Sequence, residues 1–175
     1  MSEIPIVTVL AESLPRSPCP SYRLDQALQR NQNNIAQLVL LGMFPWADGA
    51  TGPVLEETLK LLRTFRSYSL ENYRLHDAYS ESVHTAWGDV LGAVYSSADQ
   101  ALVIISNTSR EPRKNVVWRV KLEALGFTAV PQKVSIRDAK TGDERLVSFS
   151  ALADGTLETE LSGYEYRLFE VRPRP

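Results

Sequence analysis

The stretch VVWRVKL, residues 116–122, decides the fold because its side chains alternate at the two-residue period of a β-strand. One alternate set is wholly apolar and the other carries the charges: Val116, Trp118, Val120 and Leu122 against Val117, Arg119 and Lys121. A strand of this kind has one buried face and one solvated face. We therefore expect Trp118 to lie in a hydrophobic core.

A second stretch, LVIIS at 102–106, is apolar on both alternate sets. It predicts a central strand that is covered on both sides, by a second sheet on one side and by the N-terminal helices or a partner on the other. Further strand patterns recur about every dozen residues, and Asp154-Gly155 is the clearest hairpin signal among their turns. Short strands joined by tight turns favour an antiparallel sandwich over a parallel sheet.

Helical spacing precedes these strands. Apolar residues recur at steps of three and four over residues 22–44, and a second helix is expected from about Val54 to about Tyr68. The expected apolar stripe of that second helix is Leu55, Leu59, Leu62 and Phe65. The predicted fold class is α+β, with N-terminal helices packed beside a C-terminal antiparallel β-sandwich. The predicted domains are a helical N-terminal extension, 1–84, and an antiparallel β-sandwich domain, 85–175.

Composition narrows the classes of function. The 175 residues carry a formal net charge of -2, with basic residues scattered among acids, so we expect no nucleic acid partner. Hydrophobic residues make up 43%, which is ordinary globular composition, and we expect no membrane association. The only cysteine, Cys19, cannot form an intrachain disulfide. The first residues lack a basic region followed by an apolar run, so the chain as written is expected in the cytoplasm, and its location is unknown if the reading frame is truncated.

Several stretches of the second half resemble one known family. They are ALVIISNTSREP (101–112), VVWRVKLEALG (116–126), VSIRDAKTG (134–142), DGTLETEL (154–161) and GYEYRLFEV (163–171). Together they look like the C-terminal β-sandwich that follows the catalytic barrel in glycoside hydrolases of the alpha-galactosidase and amylase-like type. The stretch IAQLVLLGMFPWADG, 35–49, resembles the end of such a barrel. This resemblance implies that the chain is a tail, and no residue here matches the catalytic carboxylates of the barrel strands.

Loop aromatics are the candidate ligand-binding residues. Sugar-binding modules stack exposed aromatic faces on pyranose rings, and Trp46 and Trp87 lie in predicted loops. We name Trp46 and Trp87, with Asp48 and Asp89, as the candidate carbohydrate-binding residues. The competing interpretation is that both rings pack between the helical and β parts and that the acids are solvated.

The sequence offers no catalytic or metal site. Glycoside hydrolysis needs two carboxyl groups about 5 to 9 Å apart, and Asp48, Asp77 and Asp89 in predicted loops are better interpreted as surface acids. His76 and His84 fall in one connection, but their spacing matches no ligand motif. We therefore predict no catalytic residue, no metal and no cofactor. Asn107-Thr108-Ser109 has the form of a glycosylation sequon but is predicted to be a turn.

Two classes of function remain. The first is a non-catalytic accessory or interaction β-sandwich domain related to the C-terminal part of a glycoside hydrolase. It would form a homodimer or bind a larger protein through the strongly apolar segment 35–46. The alternative is a stand-alone carbohydrate-binding module that uses loop aromatics, with carbohydrate as its partner. A small hydrolase is a weaker third hypothesis, so enzyme activity is uncertain and the balance is against it.

Overall fold

The computed structural model describes residues 6–7, 34–35, 37–45 and 52–174. The strands are β1 (Ile6–Val7), β2 (Phe44–Pro45), β3 (Arg74–His76), β4 (Val83–Thr85), β5 (Val90–Ser96), β6 (Ala101–Asn107), β7 (Arg113–Val120), β8 (Lys133–Asp138), β9 (Glu144–Ser148), β10 (Leu157–Leu161) and β11 (Tyr166–Arg174). The helices are α1 (residues 34–35 and 37–40), α2 (Gly52–Ser67) and α3 (Ala151–Asp154). Short 3-10 turns lie at Leu70–Asn72, Ala78–Ser80 and Leu122–Leu125.

Two antiparallel sheets contain most of the strands. The larger has six strands in the order β3-β5-β6-β11-β8-β9, and the smaller has three in the order β10-β7-β4. β1 and β2 form a separate parallel pair. The last strand of the described chain, β11, therefore lies between β6 and β8, in the middle of the large sheet.

The main hydrophobic core lies between the two sheets. Trp118 from β7 has no exposed surface, and its ring stacks on Phe169 of β11 with centroids 5.0 Å apart. The predicted burial of Trp118 is therefore confirmed. Because Phe169 belongs to the large sheet and Trp118 to the small one, this pair joins the two layers.

Strand β6 is buried on both faces. Val103 and Ile105 contribute to the cluster between the sheets, whereas Leu102 and Ile104 contribute to a second cluster on the opposite face of the large sheet. Every residue of β6 is buried, which confirms the central strand predicted from LVIIS.

Helices α1 and α2 cover this second face of the large sheet. α2 buries Thr58, Leu61 and Phe65, which lie on one face because they are separated by three and four residues. Three members of the expected stripe are only half-buried instead: Leu55, Leu59 and Leu62. In α1, Val39 is buried, and its carbonyl oxygen accepts a 2.9 Å hydrogen bond from the Tyr95 hydroxyl of β5. None of the helices in the described part of the chain has the length and apolar character needed to cross a bilayer.

The predicted α+β class, with N-terminal helices packed beside a β-sandwich, is wrong. The described residues form mainly antiparallel sheet, and the helices are short. α1 and α2 share one hydrophobic cluster with the large sheet, and Leu152 of α3 lies in the core between the two sheets. The sequence of β3 and β4 shows no strand periodicity, because each strand has only three residues and is only partly buried. Their pairing with β5 and β7 therefore gives no local signal.

The hairpin predicted at Asp154-Gly155 is also wrong. β9 pairs with β8 in the large sheet and β10 pairs with β7 in the small one, so the two strands are not neighbours. Asp154 instead ends the helical turn α3, and Gly155 follows with a φ of 69°. A residue that readily adopts the left-handed conformation is favoured both at the end of a helix and in a hairpin turn. The Asp-Gly dipeptide therefore does not distinguish between the two.

Candidate functional site

Two of the four candidate binding residues lie together at the start of β5. The guanidinium carbon of Arg113 lies 4.8 Å from the ring centroid of Trp87. The same guanidinium forms an ion pair with Asp89, and its Nε donates to Oδ1 at 3.1 Å and to Oδ2 at 3.2 Å. Trp87, Asp89 and Arg113, which we call the indole site, therefore form one contiguous surface feature.

Hydrogen bonds from two threonines hold the loop of the indole site. The single hydroxyl proton of Thr85 Oγ1 is shared between the carbonyl oxygens of Trp87 at 3.0 Å and of Val90 at 2.8 Å. Thr108 donates to the carbonyl oxygen of Asp89 through its backbone N–H at 2.8 Å and through Oγ1 at 2.9 Å. The indole and the carboxylate thus have a fixed backbone beneath them.

The chemistry available at the indole site is binding. The hydrogen bond from Arg113 lowers the pKa of Asp89, so this carboxyl group stays ionised at neutral pH and cannot donate a proton. Trp87 remains 39% exposed, although the guanidinium covers part of its ring. The exposed indole surface could stack on a flat apolar ligand surface.

The other candidate residues do not extend this site. Trp46 and Asp48 lie outside the described residues. His76 and His84 belong to different sheets, since β3 lies in the large sheet and β4 in the small one. Asp77 accepts a 3.1 Å hydrogen bond from the backbone N–H of Tyr79. Over the described ranges, no group of three metal-ligating side chains comes together.

A second candidate site, which the sequence analysis did not identify, is a groove of about 550 Å³ between α2 and the start of β11. We call it the helix–turn groove. Its described lining comes from α2, from the β8–β9 turn, and from the β10–β11 turn with the beginning of β11: Lys60, Leu61 and Thr64; Ala139 and Lys140; and residues 162–168.

The charged groups in the wall of the helix–turn groove are paired with one another. Glu165 accepts from Lys140 and from Arg167 Nε, the latter at 3.1 Å, and from the backbone N–H of Ser162 at 2.8 Å. Arg167 Nη1 also donates to Asp138 Oδ2 at 2.7 Å. Burial alone would raise the pKa of Glu165, but Lys140, the Ser162 N–H and Arg167 outweigh it and lower that pKa. Glu165 is therefore a fixed carboxylate, unsuited to donating a proton.

The turn that forms one end of the groove is clamped by the β6–β7 loop. The backbone N–H of Tyr164 donates to the carbonyl oxygen of Ser109 at 2.9 Å, and that of Asn107 donates to Glu165 at 2.9 Å. The buried Asn107 side chain donates to the carbonyl oxygens of Glu111 at 2.7 Å and Ser162 at 3.0 Å. Its Oδ1 accepts from the Ser109 N–H at 3.0 Å. Asn107 therefore has a structural role: it joins the end of β6 to the β10–β11 turn, a contact that the sequence analysis did not predict.

Comparison with known proteins gives a match only at the level of structure. Neither protein-family models nor curated protein sequences match the chain. The galactosidase domain of an alpha-galactosidase-sucrose kinase is 12% identical, with a TM-score of 0.52, over 97% of this chain and 22% of that one. An alpha-amylase from Geobacillus thermoleovorans is 12% identical, with a TM-score of 0.52, over 85% of this chain and 34% of that one. An Anoxybacillus alpha-amylase is 15% identical, with a TM-score of 0.50, over 85% of this chain and 33% of that one.

These likenesses concern part of each enzyme. The chain spans between about a fifth and a third of the length of the three solved structures. At identities of 12 to 15% the likeness shows the fold alone. The chain thus has a β-rich, glycoside hydrolase-like fold.

Proposed function

We propose that this chain is a non-catalytic accessory β domain, related to the C-terminal part of a glycoside hydrolase, that acts together with a catalytic protein. The observation that supports this proposal is the share of each chain that the structural matches cover. Each match takes in 85 to 97% of this chain but only 22 to 34% of the enzyme. A segment of that relative size corresponds to one part of such an enzyme, not to the whole.

The state of the carboxyl groups supports a non-catalytic role. Glycoside hydrolysis generally needs a carboxyl group with a raised pKa that protonates the leaving oxygen, facing a second carboxylate. The pKa values of Asp89 and Glu165, at the two sites described above, are both lowered. Both side chains are ion-paired, which favours their use as fixed structural anions.

Turnover assays test the non-catalytic part of the proposal. The purified chain is incubated with p-nitrophenyl α-galactoside, p-nitrophenyl α-glucoside and soluble starch, beside the variants Asp89→Asn and Glu165→Gln. We expect no hydrolysis above buffer for any of the three proteins. Hydrolysis by the unaltered chain that either substitution abolishes would overturn the proposal.

Segment 35–46 is the proposed surface for a partner or a second copy. Its described residues are already partly covered, since Ile35, Val39 and Leu40 are buried in the cluster over the large sheet. Leu41 and Met43 are half-buried and leave apolar surface for a second protein. Light scattering at micromolar concentration tests this part: a dimer or a dye-binding monomer supports it, and a strict monomer that binds no hydrophobic dye removes it.

Exposure of Trp87 favours a second candidate function, a carbohydrate-binding module acting alone. An indole that remains 39% exposed beside a charged pair has free apolar surface for a pyranose ring. This function is tested by titrating the protein with starch, xylan and galactan while its tryptophan fluorescence is monitored. We expect Trp87→Ala to lose the binding, whereas unchanged affinity would exclude Trp87. A Trp46→Ala variant separates the two loop tryptophans.

A further inference from the structure

Strand β9 is an open edge of the large sheet. It pairs with β8 on one side, and no other strand of the described residues pairs with it. Four of its five residues are exposed, and Leu146 keeps 58% of its surface accessible. Natural sheets usually protect such edges with very short strands, prolines or charges, because free backbone groups can pair with another molecule. β9 contains no proline and has the length of an ordinary strand.

The hydrogen bonds between β8 and β9 show which backbone groups of β9 point outward. The N–H of Asp138 donates to the carbonyl oxygen of Asp143 at 2.9 Å, and that of Phe149 donates to the carbonyl oxygen of Gln132 at 3.0 Å. In an antiparallel pair, alternate residues direct both backbone groups toward the partner strand. Residues 143, 145, 147 and 149 therefore face β8, and residues 144, 146 and 148 direct their N–H and C=O groups away from the sheet.

A twofold axis at Leu146 gives β9 a complete antiparallel pairing with its own copy. Leu146 then lies opposite Leu146, Glu144 opposite Ser148, and Arg145 opposite Val147. The outward groups of residues 144, 146 and 148 face one another and can form a ladder of hydrogen bonds. No like charges lie directly opposite. The two copies of Arg145 are only diagonal neighbours, at about 7 to 8 Å, so both side chains can extend into solvent.

The other edges of the two sheets are less suited to self-pairing. β3 and β4 have three residues each. β10 has five residues, but Glu158 and Glu160 lie on one of its faces. Antiparallel self-pairing centred on Glu158, Thr159 or Glu160 places two glutamates directly opposite each other, which is destabilising. Among the edges of the described sheets, β9 is therefore the one whose sequence permits pairing with a second copy.

Charges beside β9 also favour this pairing. Lys133 of β8 lies opposite Ser148 on the same face of the sheet, and it takes part in none of the ion pairs between described residues. In the self-pairing, Glu144 of the second copy lies on the other side of Ser148. The short serine lets the lysine and the glutamate approach each other over it. Arg137, opposite Glu144 in its own chain, lies one strand further from the contact.

We propose that β9 pairs with β9 of a second copy, so that two large sheets join into one antiparallel sheet across a twofold axis at Leu146. Each copy offers one such edge, so the assembly closes at two copies. A contact between two five-residue strands is small beside the roughly 1,200 to 2,000 Å² of stable interfaces, and we expect a weak dimer that depends on concentration.

This contact goes beyond the proposed accessory role and leaves segment 35–46 available. The buried residues of that segment pack with side chains of β5 and β6, and β11 and β8 separate those strands from β9. A second copy at β9 and a catalytic partner at segment 35–46 can therefore bind the same chain.

Sedimentation velocity of the whole chain across the micromolar range tests the proposal. We expect a reversible equilibrium between monomer and dimer. Leu146→Lys places like charges opposite each other at the twofold axis, so the dissociation constant of the dimer should rise at least about tenfold. Because Leu146 is 58% exposed, circular dichroism should show an unchanged fold. Val130→Lys is the matched control, since Val130 is 85% exposed and lies outside β9, and its dissociation constant should not change.

Cysteine cross-linking tests the register. Leu146→Cys and Arg145→Cys are each combined with Cys19→Ser and treated with oxidised glutathione. Opposite residues of a hydrogen-bonded pair have Cα atoms about 5.5 Å apart, which suits a disulfide, whereas about 7 Å or more does not. We expect Leu146→Cys to form a covalent dimer and Arg145→Cys to remain mainly monomeric, because its two copies are diagonal.

Three results would overturn the β9 contact: a strict monomer over the whole range, a dissociation constant that Leu146→Lys leaves unchanged, and equal cross-linking of the two cysteine variants. Met43→Ser identifies the competing surface and should leave the dimer intact. A dimer that Met43→Ser abolishes and Leu146→Lys retains would assign the second copy to segment 35–46 instead. The hydrolysis assay is separate from these measurements, so the accessory role and the β9 contact can fail independently.

Discussion

The backbone carbonyl oxygen of Arg110 lies 2.0 Å from the position that a Cβ atom of Gly163 would occupy. No side chain fits between these two segments unless the backbone moves. We predict that Gly163→Ala lowers the free energy of unfolding by about 2 kcal/mol, as overpacking does, in urea unfolding followed by circular dichroism. Gly88→Ala is the control, because an added Cβ there meets nothing within 4 Å. Equal stability of the two variants would contradict the clash.

Asn107 should be a second determinant of stability at the same turn. Replacement by alanine removes the two hydrogen bonds that the buried Asn107 amide donates to the carbonyl oxygens of Glu111 and Ser162, and each hydrogen bond contributes about 0.5 to 1.5 kcal/mol. We expect Asn107→Ala to lose about 2 to 3 kcal/mol of unfolding free energy, measured by urea denaturation. The exposed Asn72, changed to alanine, should stay within about 0.5 kcal/mol. A loss no larger than that of Asn72→Ala would show that Asn107 does not clamp the turn.

Ser106 offers the opposite kind of substitution. Its hydroxyl is completely buried on β6 and finds no hydrogen-bond partner within the described part of the protein. Removing an unsatisfied buried hydroxyl should raise the free energy of unfolding by about 1 kcal/mol in Ser106→Ala. Ser135 is the control, because its Oγ accepts a 3.1 Å hydrogen bond from Arg174 Nε. Ser135→Ala should lower the stability, and the same sign for both variants would refute the argument.

Tyr68 should be among the last tyrosines to ionise. Burial, followed by the charge of Glu170 and a 3.1 Å hydrogen bond to it, raises the pKa of Tyr68 from 10.0 to about 12. The pKa of Tyr68 is higher in the folded protein than in the unfolded chain. The neutral hydroxyl therefore contributes its full share to the free energy of unfolding below pH 10, and this contribution is lost as the pH rises toward 12. The measurement is the tyrosinate absorbance as a function of pH. We expect the Tyr68→Phe variant to lack one group that titrates near pH 12. Loss of a group that titrates near pH 10 would contradict the contact.

The features that the sequence predicted correctly depend on residues within a single segment. LVIIS is apolar on both alternate sets, and β6 is buried on both faces for that reason. Trp118 is core because its whole alternate set is apolar. Helix α2 begins and ends close to the predicted limits, since its periodicity is local.

Features that depend on distant segments could not be predicted in this way. Trp87 and Asp89 are two residues apart, but the arginine that joins them comes from β7, 24 residues after Asp89. The helix–turn groove combines α2 with a turn about 100 residues further along. Residue spacing within one segment contains no information about such pairings. The error in fold class has the same origin, because β3 and β4 exist only through their partner strands.

The central place of β11 has a consequence for synthesis on the ribosome. Before residues 166–174 emerge, the β5–β6 pair and the β8–β9 pair can each form, but no strand of the large sheet pairs with both, and both leave an open edge toward the missing strand. Open strand edges invite pairing with other chains. Nascent copies on one messenger are therefore most exposed to mutual aggregation just before this strand emerges, and insertion of β11 ends that interval by closing both edges at once.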